Sequence, residues 1–159
     1  MNNDASVPKK ISLSDGRLWF RVNSIRAIFE TLDQVKGYDN YMLIAGNTSR
    51  GAYPIKFYPE LLIDISGVAE LRSHYLDVNL VLGANMTITE TINLFDELCK
   101  TYEDFWYLSV LRKHLEQVAH IPVRNIGTLA GNLILKHEHP DFQSDIFLLF
   151  SCVGAIVTL

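Results

Sequence analysis

Cysteine is scarce in this sequence: only Cys99 and Cys152 occur, far apart and outside any Cys-x-x-Cys pair. Two thiols cannot build an iron–sulfur cluster, which takes four thiolates in its common forms. They also make no disulfide framework, and fit two small apolar side chains in a reducing compartment. Positive charge is not in excess, because 14 Lys and Arg stand against 18 Asp and Glu for a net charge of -4. No electrostatic footprint for nucleic acid follows from that balance. The longest apolar run, 146–159, is interrupted by Ser151 and Gly154. It falls short of the ~20 residues of a membrane span. Residues 1–10 are polar, carry Lys9 and Lys10, and contain no apolar segment of a secretory signal. The expectation is a cytoplasmic protein with neither nucleic acid nor membrane among its partners.

Two nucleotide fingerprints are missing as well. Gly46 and Gly51 have the spacing of a Walker loop, but Ala52 and Tyr53 stand where Lys and Ser/Thr are required. The Gly-x-Gly-x-x-Gly of dinucleotide folds is absent too. His137, Glu138 and His139 are adjacent on one loop. A tetrahedral metal site there needs distant ligands, and none stands out, so no metal is expected.

What is present is the composition of a globular domain, 48% hydrophobic and 20% charged. Residues 1–17 read as a linker, polar and marked by Pro8 and Gly16. A domain over 18–159 follows, with a first lobe at 18–70 and a second at 71–159. In the first, 18–22 reads as a strand. A helix capped near Asn23 or Ser24 comes next, with Ile25, Ile28, Phe29, Leu32 and Val35 along one face and Gly37 as its stop. Short apolar runs at 41–45 and 61–65 complete a small parallel sheet with a crossover helix.

The second lobe opens with strands at 74–78 and 79–82. Thr87 and Glu90 form a capping box before a helix whose buried stripe is Ile88, Ile92, Phe95, Leu98, Cys99 and Tyr102. Another helix is expected at 105–119, with Leu108, Leu111, Leu115 and Val118 facing in and Ile121-Pro122 ending it. A polar loop at 136–144, a helix at 145–153 and a strand at 155–159 complete the reading.

Two glycine-containing stretches can carry chemistry. In Gly46 to Gly51, glycine permits positive φ, so that successive N–H groups converge on an anion. Asn47, Thr48 and Ser49 add donors suited to phosphate oxygens. In Gly127 to Asn132, Thr128 offers a hydroxyl or serves as a helix N-cap, and Asn132 offers an amide. Either stretch alone is more readily a structural turn, but together they suit one extended ligand bearing a pyrophosphate and hydroxyls. Asp145 opens an apolar helix, where the macrodipole favours an acid with or without a ligand.

Four segments, in order, resemble one family. Leu43-Ile44-Ala45-Gly46-Asn47-Thr48 resembles the first flavin-contacting loop of the FAD domain in xanthine dehydrogenases, aldehyde oxidases and related molybdenum hydroxylases. Pro59-Glu60-Leu61-Leu62-Ile63-Asp64-Ile65 with Glu70-Leu71, Leu82-Gly83-Ala84-Asn85-Met86-Thr87, and the stretch from Val123 through Arg124-Asn125-Ile126-Gly127-Thr128-Leu129-Ala130-Gly131-Asn132 to Leu133 resemble that family's next three signatures.

The resemblance implies an α+β fold of two lobes: a βα lobe with parallel strands, then a lobe with a mixed or antiparallel sheet, incomplete at its C-terminal side. It implies FAD as cofactor, held by Leu43, Ile44, Ala45, Gly46, Asn47, Thr48, Ser49 and Arg50 around the pyrophosphate. Thr128, Leu129, Ala130, Gly131 and Asn132 would contact the diphosphate and ribityl chain, and Asp145 a ligand hydroxyl. Val118 occupies a place where an aromatic residue lines the pocket in relatives, and gives packing without ring stacking. Partners are then iron–sulfur and molybdenum-cofactor domains, with electrons passing through FAD to oxygen or NAD, and no catalytic acid or base in this chain. Ser49, Ala130 and Leu135 depart from the xanthine dehydrogenase pattern, and the loop from Lys136 to Asp141 is similar to the aldehyde-oxidase branch. The alternative is a truncated α+β module without FAD, acting as a non-enzymatic interaction fragment.

Overall fold

Short β-branched and aromatic runs separated by polar turns give four strands and a helix: β1 (Lys9–Ser12), β2 (Leu18–Arg21), α1 (Ile25–Gln34), β3 (Tyr41–Ile44) and β4 (Leu61–Asp64). They form one sheet in the order β1-β2-β4-β3, in which β2, β4 and β3 run parallel and β1 pairs antiparallel with β2. The structure is a computed structural model that describes residues 8–35 and 40–158. Gly37, expected to stop α1, lies outside the described residues.

Central β4 buries Leu61, Leu62 and Ile63 in succession, the unbroken apolar run of a strand covered on both faces. On one face Phe20, Leu61 and Ile63 meet Ala27 and Ile28 of α1, with Leu32 and Val35 at the margin. Ser24 caps α1 by accepting from Ala27 N at 3.1 Å. The helix is rotated from its expected face, because Ile25 and Phe29 are exposed while Thr31 is fully buried. Thr31 tolerates burial because its hydroxyl donates to Ala27 O at 2.7 Å.

Residues 9–12 depart from the linker reading. Their side chains are all exposed and lysine-rich, a composition that edge strands share with linkers because lysine discourages further pairing.

A two-stranded antiparallel sheet follows, β5 (His74–Leu76) with β6 (Leu80–Leu82). It belongs with the first unit, so the chain divides between Asn85 and Met86 rather than at 70. The reason is local. Gly83 N donates to Ser73 O at 2.8 Å, Asn85 N to Leu71 O at 2.7 Å, and the buried Asn85 amide to Ile65 O at 2.9 Å.

The second unit is helical: α2 (Ile88–Thr101), α3 (Leu108–Leu115), α4 (Ile121–Ile126), α5 (Leu129–Glu138) and α6 (Asp145–Cys152). The capping box on α2 is complete, with Glu90 N donating to Thr87 Oγ1 at 3.1 Å and Thr87 N to Glu90 Oε2 at 2.8 Å. Helix α2 buries Ile88, Thr91, Leu94, Phe95 and Leu98, leaving Tyr102 exposed. It packs against α3, whose Leu108, Leu111 and Leu115 are buried as expected.

The structure differs from the sequence reading at four further places. The expected helix over 105–119 is a 3-10 turn (Glu103–Phe105) and the shorter α3, with Ala119 in the left-handed region at φ 52° beyond it. Pro122 opens α4 instead of ending its predecessor, since a first-turn proline forfeits no helical hydrogen bond. Helix α5 runs on to Glu138, and 155–158 form no strand because no neighbouring strand offers them a ladder among the described residues. Among those residues no helix is long and apolar enough to cross a membrane.

Candidate functional site

The parallel arrangement gives the first loop its position. Open α/β sheets bind ligands beyond the carboxyl ends of their strands, and 45–51 leaves the carboxyl end of β3. Ile44 is buried and its carbonyl accepts from Ile65 N at 2.8 Å, whereas Leu43 is exposed at the sheet edge. Ala45 packs against the core cluster. Asn47 then takes the left-handed conformation, φ 53° and ψ 29°, and opens a 3-10 turn over Thr48–Gly51. Glycine permits positive φ, but neither Gly46 nor Gly51 uses it, and the asparagine makes the turn. Its short amide side chain suits that region, and Arg50 Nε donates to its Oδ1 at 2.9 Å. Ser49 O accepts from both Ala52 N and Tyr53 N, which closes the loop.

The second stretch is a helix start rather than a free loop. Thr128 is the N-cap of α5, and its hydroxyl accepts from Gly131 N at 3.1 Å. Leu129 is buried, with its N–H donating to Met86 O at 3.0 Å. Among the described hydrogen bonds the Ala130 N–H has no acceptor, as expected for the first turn of a helix. Asn132 N closes on Thr128 O at 3.1 Å. Its side chain meets α6, where the Ser144 hydroxyl donates to Asn132 Oδ1 while accepting from Phe147 N at 2.9 Å.

Thr128, Gly131, Asn132, Ser144 and Asp145 therefore lie together at the starts of α5 and α6. Asp145 is exposed in the first turn of α6. Ser144, buried to 6% exposure, is the residue that sequence reasoning missed. A serine before an acid at the head of an apolar run signals its cap role, but not its reach to Asn132. Val118 stands apart, half-buried beyond α3, where its carbonyl and that of Ala119 accept from Arg124 Nη1 at 3.0 and 2.9 Å. Leu43 to Arg50 belong to the first unit, and Val118, Thr128 to Asn132 and Asp145 to the second.

Other residues of the resembling segments have structural work. Asn125 Oδ1 accepts from Thr89 Oγ1 at 2.7 Å, linking α4 to α2. Asp64 Oδ1 accepts from Ser66 N at 3.0 Å and Ser66 Oγ at 2.5 Å at the end of β4. Among the described residues no group of three or more His, Cys, Asp or Glu is placed to hold a metal ion.

Each unit carries donors of its own that fit phosphate or sugar oxygens: the turn after β3 has the Asn47, Thr48, Ser49 and Arg50 side chains, and the head of α5 has the Ala130 N–H and the Asn132 amide. Around Gly51 nothing lies within 4 Å of the place a Cβ would take, which leaves its backbone open to close approach.

Comparison with known proteins gives the chain's family. The family described as the FAD binding domain in molybdopterin dehydrogenase matches residues 10–159. The chain belongs to this family of molybdenum-hydroxylase FAD domains, whose cofactor is FAD. It is 30% identical over 146 residues to the protein named Probable aldehyde oxidase 4 of Oryza sativa subsp. japonica, covering 89% of this chain and 17% of that one. To an indole-3-acetaldehyde oxidase of Zea mays it is 29% identical over 160 residues, 99% of this chain and 11% of the relative. A solved Cu,Mo-CO dehydrogenase shares the fold with a TM-score of 0.61 at 23% identity, over 86% of this chain and 44% of that one. The chain thus spans less than a fifth of these curated relatives.

Proposed function

We propose that this chain is the FAD-holding domain of an aldehyde-oxidase-like oxidoreductase, serving electron transfer and carrying no catalytic acid or base of its own. The observation behind this reading is the family match over 10–159, joined to two donor-rich turns of matching chemistry. Bound FAD would supply the redox chemistry, as a relay between the iron–sulfur clusters and molybdenum centre of partner domains and an acceptor, oxygen or NAD.

The chain's own residues bind and orient. Leu43 to Arg50 offer turn N–H groups and the Asn47, Thr48, Ser49 and Arg50 side chains to the pyrophosphate. Thr128 to Asn132 offer the first turn of α5, whose dipole favours an anion. Asp145 accepts from a ligand hydroxyl, and Val118 contributes an apolar wall.

Titration with FAD, followed by flavin fluorescence, tests the proposal. Saturable quenching by FAD with none of comparable strength from NAD is expected. A folded chain that binds NAD and not FAD overturns it. A folded chain that binds neither supports an α+β module acting without cofactor.

A further inference from the structure

We infer that Ser144 is a positioning residue for the cofactor: it fixes which way the Asn132 amide faces, so that Asn132 presents its NH2 group, not its carbonyl, to the FAD diphosphate or ribityl chain. The inference rests on the FAD reading above. It starts from a proton count at one buried oxygen.

Ser144 Oγ is buried and takes part in two hydrogen bonds. Phe147 N donates into it at 2.9 Å, because Ser144 is the N-cap of α6. That interaction uses a lone pair and leaves the hydroxyl proton to be placed. The described acceptor is Asn132 Oδ1, on the first turn of α5. Heavy-atom positions alone do not separate the two ends of an asparagine amide; the network around it does. Were the amide reversed, its Nδ2 would donate into an oxygen that already accepts from Phe147 N. The buried hydroxyl proton would then face no acceptor among the described residues, at the cost of an unsatisfied buried donor.

Asn132 Oδ1 is therefore committed inward. Its Nδ2 has no acceptor among the described hydrogen bonds and the residue is only half-buried, so two N–H donors remain for a ligand. The N–H of Ala130, two residues earlier in the same first turn, also lacks an acceptor among the described bonds. An anionic or hydroxyl-bearing ligand at the head of α5 thus meets donors from backbone and side chain together. The reversed amide would turn a carbonyl oxygen toward phosphate oxygens and repel them.

A double-mutant cycle on FAD affinity tests this. Ser144→Gly removes the hydroxyl without adding charge, and glycine is a tolerable N-cap. Ser144→Thr keeps both hydroxyl and cap. Asn132→Ala removes the amide. In the unaltered background Ser144→Gly should weaken FAD binding about five- to tenfold, the worth of one hydrogen bond, and Ser144→Thr should restore it. In the Asn132→Ala background Ser144→Gly should change affinity by less than about twofold.

A Ser144→Gly penalty of the same size with and without Asn132 would assign Ser144 a cap role alone and overturn the inference, leaving the FAD reading intact. Should Ser144→Gly fail to fold, Ser144→Asp replaces it. Aspartate caps as well as serine but has no proton to donate at neutral pH, and the Asn132→Ala arm subtracts the effect of its charge. Failure of the unaltered folded chain to quench FAD fluorescence would overturn the FAD reading and this inference together.

Discussion

Thr87 and Thr128, the N-caps of α2 and α5, face each other across an antiparallel bridge. Ile88 N donates to Gly127 O at 3.0 Å and Leu129 N to Met86 O at 3.0 Å on either side of them. The start of α5 is thus held by backbone bonds to the start of α2. Removing either cap should cost about 0.5–2 kcal/mol, measured as a lowered urea midpoint for Thr87→Ala and for Thr128→Ala. The two should part in FAD titration: Thr128→Ala weakens binding, and Thr87→Ala leaves the affinity of the folded protein unchanged. Equal effects on FAD would remove Thr128 from the binding set.

Acid should loosen the contact between α2 and α3. Asp96 pairs with Lys100 Nζ at 2.6 Å within α2 and approaches Arg112 Nε of α3 at 3.6 Å. The hydrogen bond from Lys100, followed by the charges of Lys100 and Arg112, holds the Asp96 carboxyl below its usual value. A depressed folded-state pKa stabilises the fold above the unfolded value, about 3.9 for aspartate. That contribution is lost as pH falls through the folded value. Asp96→Asn should therefore flatten the fall in unfolding midpoint between about pH 4 and pH 2, with little change at pH 7 beyond that of an exposed ion pair. An unchanged pH profile would show that Asp96 is not a contributor.

Where local chemistry decides the structure, the sequence is readable. Ser24 and Thr87 cap helices as their hydroxyls before apolar runs imply, and the apolar runs at β2, β3 and β4 become strands. Where the decision is tertiary, it is not. Strand β1 shows no alternation because all four of its side chains are exposed. The end of α3 carries no glycine or proline signal because Ala119 takes the left-handed turn. Residues 155–158 have strand composition, but a strand exists only where a neighbour supplies hydrogen bonds. The site divides the same way. Glycine spacing and hydroxyls mark both turns, whereas the bond from Ser144 to Asn132 joins two helices across twelve residues and no local pattern encodes it.

Asn47 combines two roles that substitution separates. Its left-handed backbone is open to glycine, and its amide accepts from Arg50. Asn47→Gly should leave the urea midpoint within about 0.5 kcal/mol of the parent and weaken FAD binding through the lost amide and a freed Arg50. Asn47→Val should add a backbone penalty of about 1–2 kcal/mol, visible in unfolding without FAD. Equal FAD affinity in Asn47→Gly and the parent would confine Asn47 to shaping the turn.

Gly83 and Gly51 contrast a glycine that folding needs with one around which a side chain would meet nothing. A Cβ on Gly83 would lie 2.4 Å from Leu71 O and 2.6 Å from Ser73 O. Those carbonyls accept from Asn85 N and Gly83 N, so neither can retreat without breaking the bonds that tie β6 back to residues 71–73. Gly83→Ala should therefore cost about 2 kcal/mol or more, the scale of overpacking a tight site, with FAD affinity of the surviving folded fraction unchanged. Around Gly51 a Cβ meets nothing within 4 Å and φ is ordinary, so Gly51→Ala should fold as stably as the parent. If the turn after β3 wraps the pyrophosphate, Gly51→Val should weaken FAD binding about tenfold by blocking backbone approach. Gly131 is a poorer probe, because its Cβ would lie 2.9 Å from the Thr128 hydroxyl and disturb the cap as well. Urea unfolding and FAD titration on the same preparations separate the two effects. A Gly51→Val variant that folds and binds FAD like the parent would place the pyrophosphate away from this end of the turn.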